Sequence, residues 1–224
     1  MHDPCSESRM SLSEIEALAL KAARGAGLSW GMAEEAGYAT RWLAEQGIDG
    51  PALLLIRLDQ LSTVTGAAAP PQINGRRWSP TGPAALCPLV TGVALNDFGM
   101  LPEGPVQGSV RVGPVATPAL LLPFVAMIAA RSDAGFRVVW DGCVAIVSKA
   151  GLCRISASAA MMADATEVVR ISPCPPPASR LRSLASFATT AAALRALDIY
   201  ASRTYVPASE HSRRGAGAAD IDQS

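Results

Sequence analysis

The segment FRVVWDGCVAIVS, residues 136–148, constrains the fold of this chain more than any other stretch. Two runs rich in β-branched and aromatic residues flank Asp141-Gly142, and Asp-Gly suits the two-residue turn of a β-hairpin. The type I′ form of that turn needs a positive φ at Gly142, which glycine adopts at low cost. The sequence therefore predicts an antiparallel hairpin at this point.

Further strands are predicted on both sides of this hairpin because the same β-rich pattern recurs there. They are residues 85–95, 108–112, 152–156 and 166–172. A buried helix is predicted to begin near Thr117, with Pro118 at the first helical position, where proline is favoured. Three prolines within residues 112–130 favour a buried helix over a membrane span for this apolar run.

The N-terminal part of the chain shows helical periodicity instead. Ser11 with Glu14, or Ser13 with Glu16, forms a capping box at the start of a first helix. Gly25 and Gly27 then supply residues that suit a helix end.

A second helix can be capped by Ser29 and carries a narrow face of small residues that lets two helices approach closely. Residues 11–47 are therefore predicted to form an antiparallel helical hairpin. A third short helix is predicted within residues 47–61, and residues 65–83, rich in proline and glycine, are predicted as a loop.

These elements predict one α+β domain, in which an N-terminal helical hairpin packs on an antiparallel or mixed β-sheet and a C-terminal helix closes the fold. This domain covers residues 11–205, with a helical part at 11–66, a β-rich part at 83–173 and a C-terminal helix at 187–202. Residues 1–10 are predicted to be a disordered leader. The order of residues 206–224 is left open.

The motif RGAG occurs twice, at residues 24–27 and 214–217. A dinucleotide fingerprint follows a strand and has the spacing G-x-G-x-x-G, whereas a helix precedes the first copy. The first copy is therefore predicted to be the turn of the helical hairpin. The role of the second copy is left open.

Composition and motifs exclude several kinds of chemistry. The formal net charge is zero, and a nucleic-acid-binding protein normally presents a net basic face, so no nucleic-acid partner is expected. The two histidines, His2 and His211, lie near the termini, and C-x-x-C and Walker motifs are absent from the sequence. No metal and no cofactor is therefore predicted. Five widely spaced cysteines and the absence of a signal peptide predict a cytoplasmic protein without a membrane partner.

Two groups of polar residues are candidate sites. The first follows the predicted C-terminal helix and consists of Arg203, Tyr205, Ser209, Glu210 and Arg213. If this segment is ordered, arginines beside its glycine-rich run could bind a small anionic metabolite. The second group is Asn96 and Asp97, with Glu103 nearby, which is predicted to lie in a loop after the first strand, where these groups could serve as acid, base or hydrogen-bond partner.

The runs LSEIEALALKAARGAGLSWGMAEEAGYATRWL, CPLVTGVALND and YVPASEHSRRGAGA resemble an uncharacterised bacterial family of unknown function. This resemblance extends over nearly the whole chain and implies a single conserved domain, but it assigns no catalytic residue. The N-terminal helices with GIDG, residues 47–50, are also similar to the opening of the non-Rossmann malate/lactate dehydrogenases. The motif of those enzymes continues through Ser and His, where this chain has Gly50 and Pro51.

Two classes of function stay open. The first is a small-molecule-binding or accessory protein, which is favoured because nucleophile, metal and phosphate-loop signatures are absent from the sequence. The alternative is an enzyme that uses carboxylate, arginine or tyrosine groups as acid and base. A homodimer is compatible with either function.

Overall fold

The computed structural model describes residues 7–63, 68–156, 159–175 and 184–204. The α-helices in these residues are α1 (Leu12–Gly25), α2 (Trp30–Glu45), α3 (Gly50–Thr63), α4 (Pro88–Phe98), α5 (Leu122–Ser132) and α6 (Ala191–Ser202). The strands are β1 (Glu7–Ser11), β2 (Gln72–Asn74), β3 (Arg77–Ser79), β4 (Val110–Val112), β5 (Val115–Ala116), β6 (Gly135–Trp140), β7 (Cys143–Ser148), β8 (Gly151–Ile155), β9 (Ala165–Thr166), β10 (Val169–Cys174) and β11 (Ser186–Thr190). The prediction of an α+β fold is confirmed.

The main sheet has seven strands in the order β2-β3-β4-β10-β6-β7-β8. The β3–β4 pair is parallel and the other pairs are antiparallel. Helix α5 packs on β6 and β7, and large side chains such as Phe124, Phe136 and Trp140 are buried in the resulting core. Three of the predicted strands are confirmed as β4, β8 and β10. The predicted loop over residues 65–83 also contains the β2–β3 hairpin, whose strands are too short to show a period.

The predicted helical hairpin is confirmed as α1 and α2. Ser11 caps α1: its hydroxyl accepts a hydrogen bond from the backbone N–H of Glu14, whose carboxylate accepts one from the Ser11 N–H at 2.8 Å. Gly27 has a φ of 93°, and the Ser29 side chain caps α2. The first RGAG motif is therefore a turn between helices, as predicted.

Strand β1 pairs antiparallel with β11, and Met10 lies opposite Phe187. The prediction of a disordered leader is therefore wrong for residues 7–10, and residues 1–6 lie outside the described part of the chain. The predicted start of the last helix is also wrong, because residues 187–190 belong to β11 and α6 begins at Ala191. Both errors have one cause: the two strands are defined by pairing between distant segments, which a local pattern cannot reveal.

The predicted first strand, residues 85–95, is largely helix α4. Its apolar run could be a buried strand or a buried helix, and periodicity alone does not separate the two. Pro88 occupies the start of the helix, and an added Cβ at Gly92 would lie 2.2 Å from the ring of Phe124. Close packing of α4 on α5 therefore decides the helical form.

The predicted buried helix after Thr117 is confirmed, as a 3₁₀ turn at Pro118–Leu121 that continues into α5. All residues from Pro118 to Val125 are buried in the core. In the described residues, no helix has the length and apolar character needed to cross a membrane.

The predicted hairpin is confirmed as β6 and β7, with Trp140 opposite Cys143. Its two turn residues, Asp141 and Gly142, have φ values of 40° and 79°. Both turn positions are therefore left-handed, as the type I′ turn requires.

We predict that Gly142→Val lowers the free energy of unfolding by more than about 1 kcal/mol, because a β-branched residue resists positive φ. A steric clash with other residues does not contribute, since no atom lies within 4 Å of a Cβ added at Gly142. Urea denaturation measures the change. Gly82→Val is the matched control, because Gly82 is equally open and does not have a left-handed φ. Equal midpoints for the two variants would contradict the strained turn.

Candidate functional site

A cavity of about 560 Å³ lies where the turn between α1 and α2 meets the end of α6. The residues that line it are Leu20, Lys21, Arg24, Gly25, Gly27, Trp30, Arg203 and Thr204. The fold thus brings the first RGAG turn, 24–27, together with Arg203, a predicted site residue from the other end of the chain.

Helix α1 places two cations on one wall of this cavity. Lys21 and Arg24 are three residues apart and therefore lie on the same side of the helix. The Arg24 guanidinium donates a hydrogen bond to the carbonyl of Leu28, and its central carbon lies 5.6 Å from the centroid of the Trp30 ring. The Trp30 Nε1 donates to Glu34 Oε1 at 2.9 Å, which fixes the orientation of the ring.

The end of α6 supplies the third cation. The Arg203 guanidinium carbon lies 4.3 Å from the centroid of the Tyr200 ring, a distance typical of a cation–π contact. The Tyr200 hydroxyl donates to Asp59 Oδ1 at 2.7 Å. Burial of the phenol, and secondly this hydrogen bond, raise the pKa of Tyr200, so the hydroxyl stays protonated as a donor. Helix α3, through Asp59, therefore holds the ring on which Arg203 rests.

A direct contact between helix backbones brings the two walls together. A Cβ added at Gly25 would lie 1.7 Å from the carbonyl oxygen of Tyr200. Glycine is therefore required at this position for α1 and α6 to approach as they do. This approach sets the distance between the cations of α1 and Arg203.

The charge of the lining is positive. Lys21, Arg24 and Arg203 contribute three cations, and none of the described residues that line the cavity is a carboxylate. Ion pairs in the described part of the chain include Arg41 with Glu16 and Lys149 with Asp133, and none of them involves a cation of the cavity. The three cations of the cavity thus have no carboxylate partner among the described residues. A bound anion would provide the negative charge that pairs with them.

Asn96 and Asp97 lie in the last turn of α4, and not in a loop after a strand as predicted, because α4 replaces that strand. Arg131 of α5 donates to Asn96 Oδ1 at 3.0 Å, which gives Asn96 a structural role. Asp97 is exposed and lies near Glu35 of α2. Burial first, and then the charges of Glu34 and Asp97, raise the pKa of Glu35. Neither candidate lines the cavity of Arg203.

The other predicted site residues, Tyr205, Ser209, Glu210 and Arg213, lie outside the described residues, as does the second RGAG motif. Their part in a site stays a prediction. Cys87, the residue before α4, is buried with 1% of its surface exposed. Among the described residues, no group of three or more His, Cys, Asp or Glu side chains is placed to hold a metal ion.

Sequence reasoning missed Lys21 and Arg24 as ligand-binding residues. The interpretation of residues 24–27 as a turn was right, but it removed these neighbours from consideration as ligand-binding residues. One signal was available: a lysine and an arginine three residues apart at the end of a helix place two cations on one face beside a glycine turn. Their meeting with Arg203 depends on tertiary packing.

The structure defines an α+β protein with a basic cavity between a helical hairpin and a C-terminal helix. Residues 10–82 match the family described as "Protein of unknown function (DUF3726)". No curated protein matches the chain. The family match includes Lys21, Arg24 and Trp30 and ends before Arg203, so the expected uncharacterised family is confirmed over this part of the chain. The similarity to non-Rossmann malate/lactate dehydrogenases is not supported.

We predict that Gly25→Ala destabilises the fold by roughly 1–3 kcal/mol, because the new methyl group would overlap the Tyr200 carbonyl and force α1 and α6 apart. Thermal melts measure the loss. Gly31→Ala in α2 is the matched control, since a Cβ there meets no atom within 4 Å. The control should keep or slightly raise the melting temperature, as alanine favours a helix over glycine. Indistinguishable melts for the two variants would show that the helices do not meet at Gly25.

Proposed function

We propose that the protein binds a small anionic metabolite in the cavity between α1, α2 and α6. The observation that carries the proposal is the convergence of Lys21, Arg24 and Arg203 on one cavity whose described lining residues include no carboxylate. Charge-assisted hydrogen bonds from such groups to a carboxylate or phosphate are among the stronger polar contacts in proteins. The cavity volume, about 560 Å³, also lies within the usual range for small-molecule sites.

The contacts of each side chain suggest a division of roles. Arg24 already donates to the Leu28 carbonyl, so it contributes charge and holds the wall. Lys21 and Arg203 are exposed, and they are the groups that would contact the anion directly. Trp30 is 62% exposed and offers an apolar surface beside them. A carboxylate or phosphate with a small apolar or planar body fits these surroundings.

Binding is favoured over the enzyme alternative because of the groups that face the cavity. General acid–base catalysis needs a titratable group positioned at the reacting atoms. The described lining offers cations and no carboxylate, and two nearby acids, Glu34 and Asp59, accept hydrogen bonds from Trp30 and Tyr200. The lining therefore supports recognition of an anion more directly than proton transfer.

A cytoplasmic location in a bacterium belongs to the same proposal. Cys87 is a buried free thiol, as expected in a reducing compartment, and the sequence resembles a bacterial family. A homodimer is a further hypothesis, which size-exclusion chromatography with light scattering would test.

We predict that one member of a panel of small carboxylates, phosphates and nucleotides raises the melting temperature. A ligand at about 100 times its dissociation constant adds about 2.7 kcal/mol, which corresponds to roughly 5–10 °C for a chain of this size. Lys21→Ala and Arg203→Ala should each weaken the binding of that ligand at least tenfold, because each removes one of the two exposed cations. Differential scanning fluorimetry followed by calorimetric titration measures both effects.

The control is Arg131→Ala, which removes an arginine whose described contacts are with Asn96. It should leave the affinity unchanged. A ligand that binds the Lys21→Ala, Arg203→Ala double variant as tightly as the original protein would place the site elsewhere. Loss of binding in the Arg131→Ala variant alone would do the same.

A further inference from the structure

The outer face of the seven-stranded sheet carries a row of arginines. The strands of this sheet contain five arginines and no aspartate, glutamate or lysine. They are Arg77 on β3, Arg111 on β4, Arg170 on β10, Arg137 on β6 and Arg154 on β8, and all five are exposed. We call these five residues the arginine track.

Strand register makes the track continuous. Arg111 lies opposite Arg77 on one side and opposite Arg170 on the other. Arg170 lies opposite Val139, two residues from Arg137 on the same face of β6. The track then reaches Arg154 across β7. It crosses six neighbouring strands, which at a spacing of about 4.8 Å gives a length of about 24 Å.

The alternation of buried and exposed residues shows that the track faces away from the helices. Val110, Val112, Val169, Ile171 and Val138 flank the arginines in sequence and are fully buried in the core. Successive side chains of a strand point to opposite faces of the sheet. The arginines therefore lie on the face opposite the core.

This arrangement is unfavourable for the free protein. Like charges directly opposite each other on neighbouring strands are destabilising, and Arg77, Arg111 and Arg170 form two such pairs in succession. No carboxylate of the described residues forms an ion pair with any of the five. Arg77 and Arg111 also line a depression of about 130 Å³. A polyanion lying along the track would relieve this repulsion.

The net charge of the whole chain is zero and does not reveal the positive charge of this face. Helices α1 and α2 alone carry Glu14, Glu16, Glu34, Glu35 and Glu45, whereas the strands of the main sheet carry arginine as their sole charged residue type. The expectation that there is no nucleic-acid partner rested on net charge, and net charge does not report how the charges are distributed. The relevant quantity for binding a polyanion is the charge of one face.

We propose that the arginine track binds single-stranded nucleic acid, with the phosphodiester backbone running across the strands. An extended chain of evenly spaced negative charges complements a straight row of cations. The arginine guanidinium can donate two parallel hydrogen bonds to a phosphate, and it can stack on bases. Ser109 and Ser172, bonded to each other at 2.9 Å, lie beside the row and offer hydroxyl groups to phosphate. The half-buried Val139, Val144 and Ile146 offer an apolar surface to the bases.

The test is fluorescence anisotropy with a labelled oligonucleotide of about 12 nucleotides, a length that exceeds the track. Five phosphate contacts predict a slope of about −3.5 for log K against log salt concentration between about 50 and 200 mM. Arg111→Gln with Arg170→Gln should weaken binding at least tenfold at about 50 mM salt and reduce the slope to about −2. Its melting temperature should not fall, because the substitutions remove like-charge repulsion.

Arg195→Gln is the matched control: Arg195 is an exposed arginine on α6, outside the track, and its loss should change neither affinity nor slope. Arg137→Gln with Arg154→Gln provides a second variant and should also reduce the slope to about −2 if the first variant fails to fold. Absence of binding at low salt, or equal weakening by the Arg195 variant, would overturn the proposal. Displacement of the oligonucleotide by polyglutamate at equal charge concentration would also overturn it, in favour of an acidic protein partner.

Discussion

The contact between Gly25 and the carbonyl of Tyr200 is the constraint on which much of this structure depends. It is a contact of backbone on backbone, so it admits no side chain at position 25 and sets the separation of α1 and α6. Strand β1, which leads into α1, pairs with β11, which leads into α6. The Thr189 hydroxyl of β11 also donates hydrogen bonds to the Asp49 carboxylate at 2.9 Å. Both contacts reinforce the approach of the two helices. Asp49 also accepts a hydrogen bond from the N–H of Ala52, at the start of α3. The two ends of the described chain are thus joined around the helical layer.

The same constraint shows why parts of the fold could be predicted and others could not. The β6–β7 hairpin and the α1–α2 hairpin depend on residues close in sequence, namely Asp141 and Gly142 in one case and Ser11, Glu14 and Ser29 in the other. Strand β1 and helix α4 depend on partners far away: β1 on β11, and α4 on Phe124 meeting Gly92. A local sequence pattern can therefore reveal the two hairpins. It cannot reveal β1 or α4, because those elements form only when distant segments pack together.

The candidate site divides in the same way. Arg203 could be singled out because it stands in a polar segment after a helix, but Lys21 and Arg24 had a sufficient local explanation as helix-end residues. Asn96 and Asp97 were selected because a loop was expected where α4 lies. A site formed by elements from both ends of the chain could not be assembled before the α1–α6 contact was known. Its two halves could be recognised only separately.

The two basic regions differ in how their arginines are held, and this difference suits them to different ligands. In the cavity, Arg24 is fixed by the Leu28 carbonyl and the Trp30 ring, and Arg203 rests on Tyr200. Positioned cations of this kind favour a small ligand of defined shape, because little side-chain entropy remains to be lost on binding. The arginines of the track make no side-chain hydrogen bond to any described residue, so each can follow a long polyanion whose groups vary in position. Salt should therefore weaken binding at the track more than binding in the cavity, since more exposed phosphate contacts release more counterions.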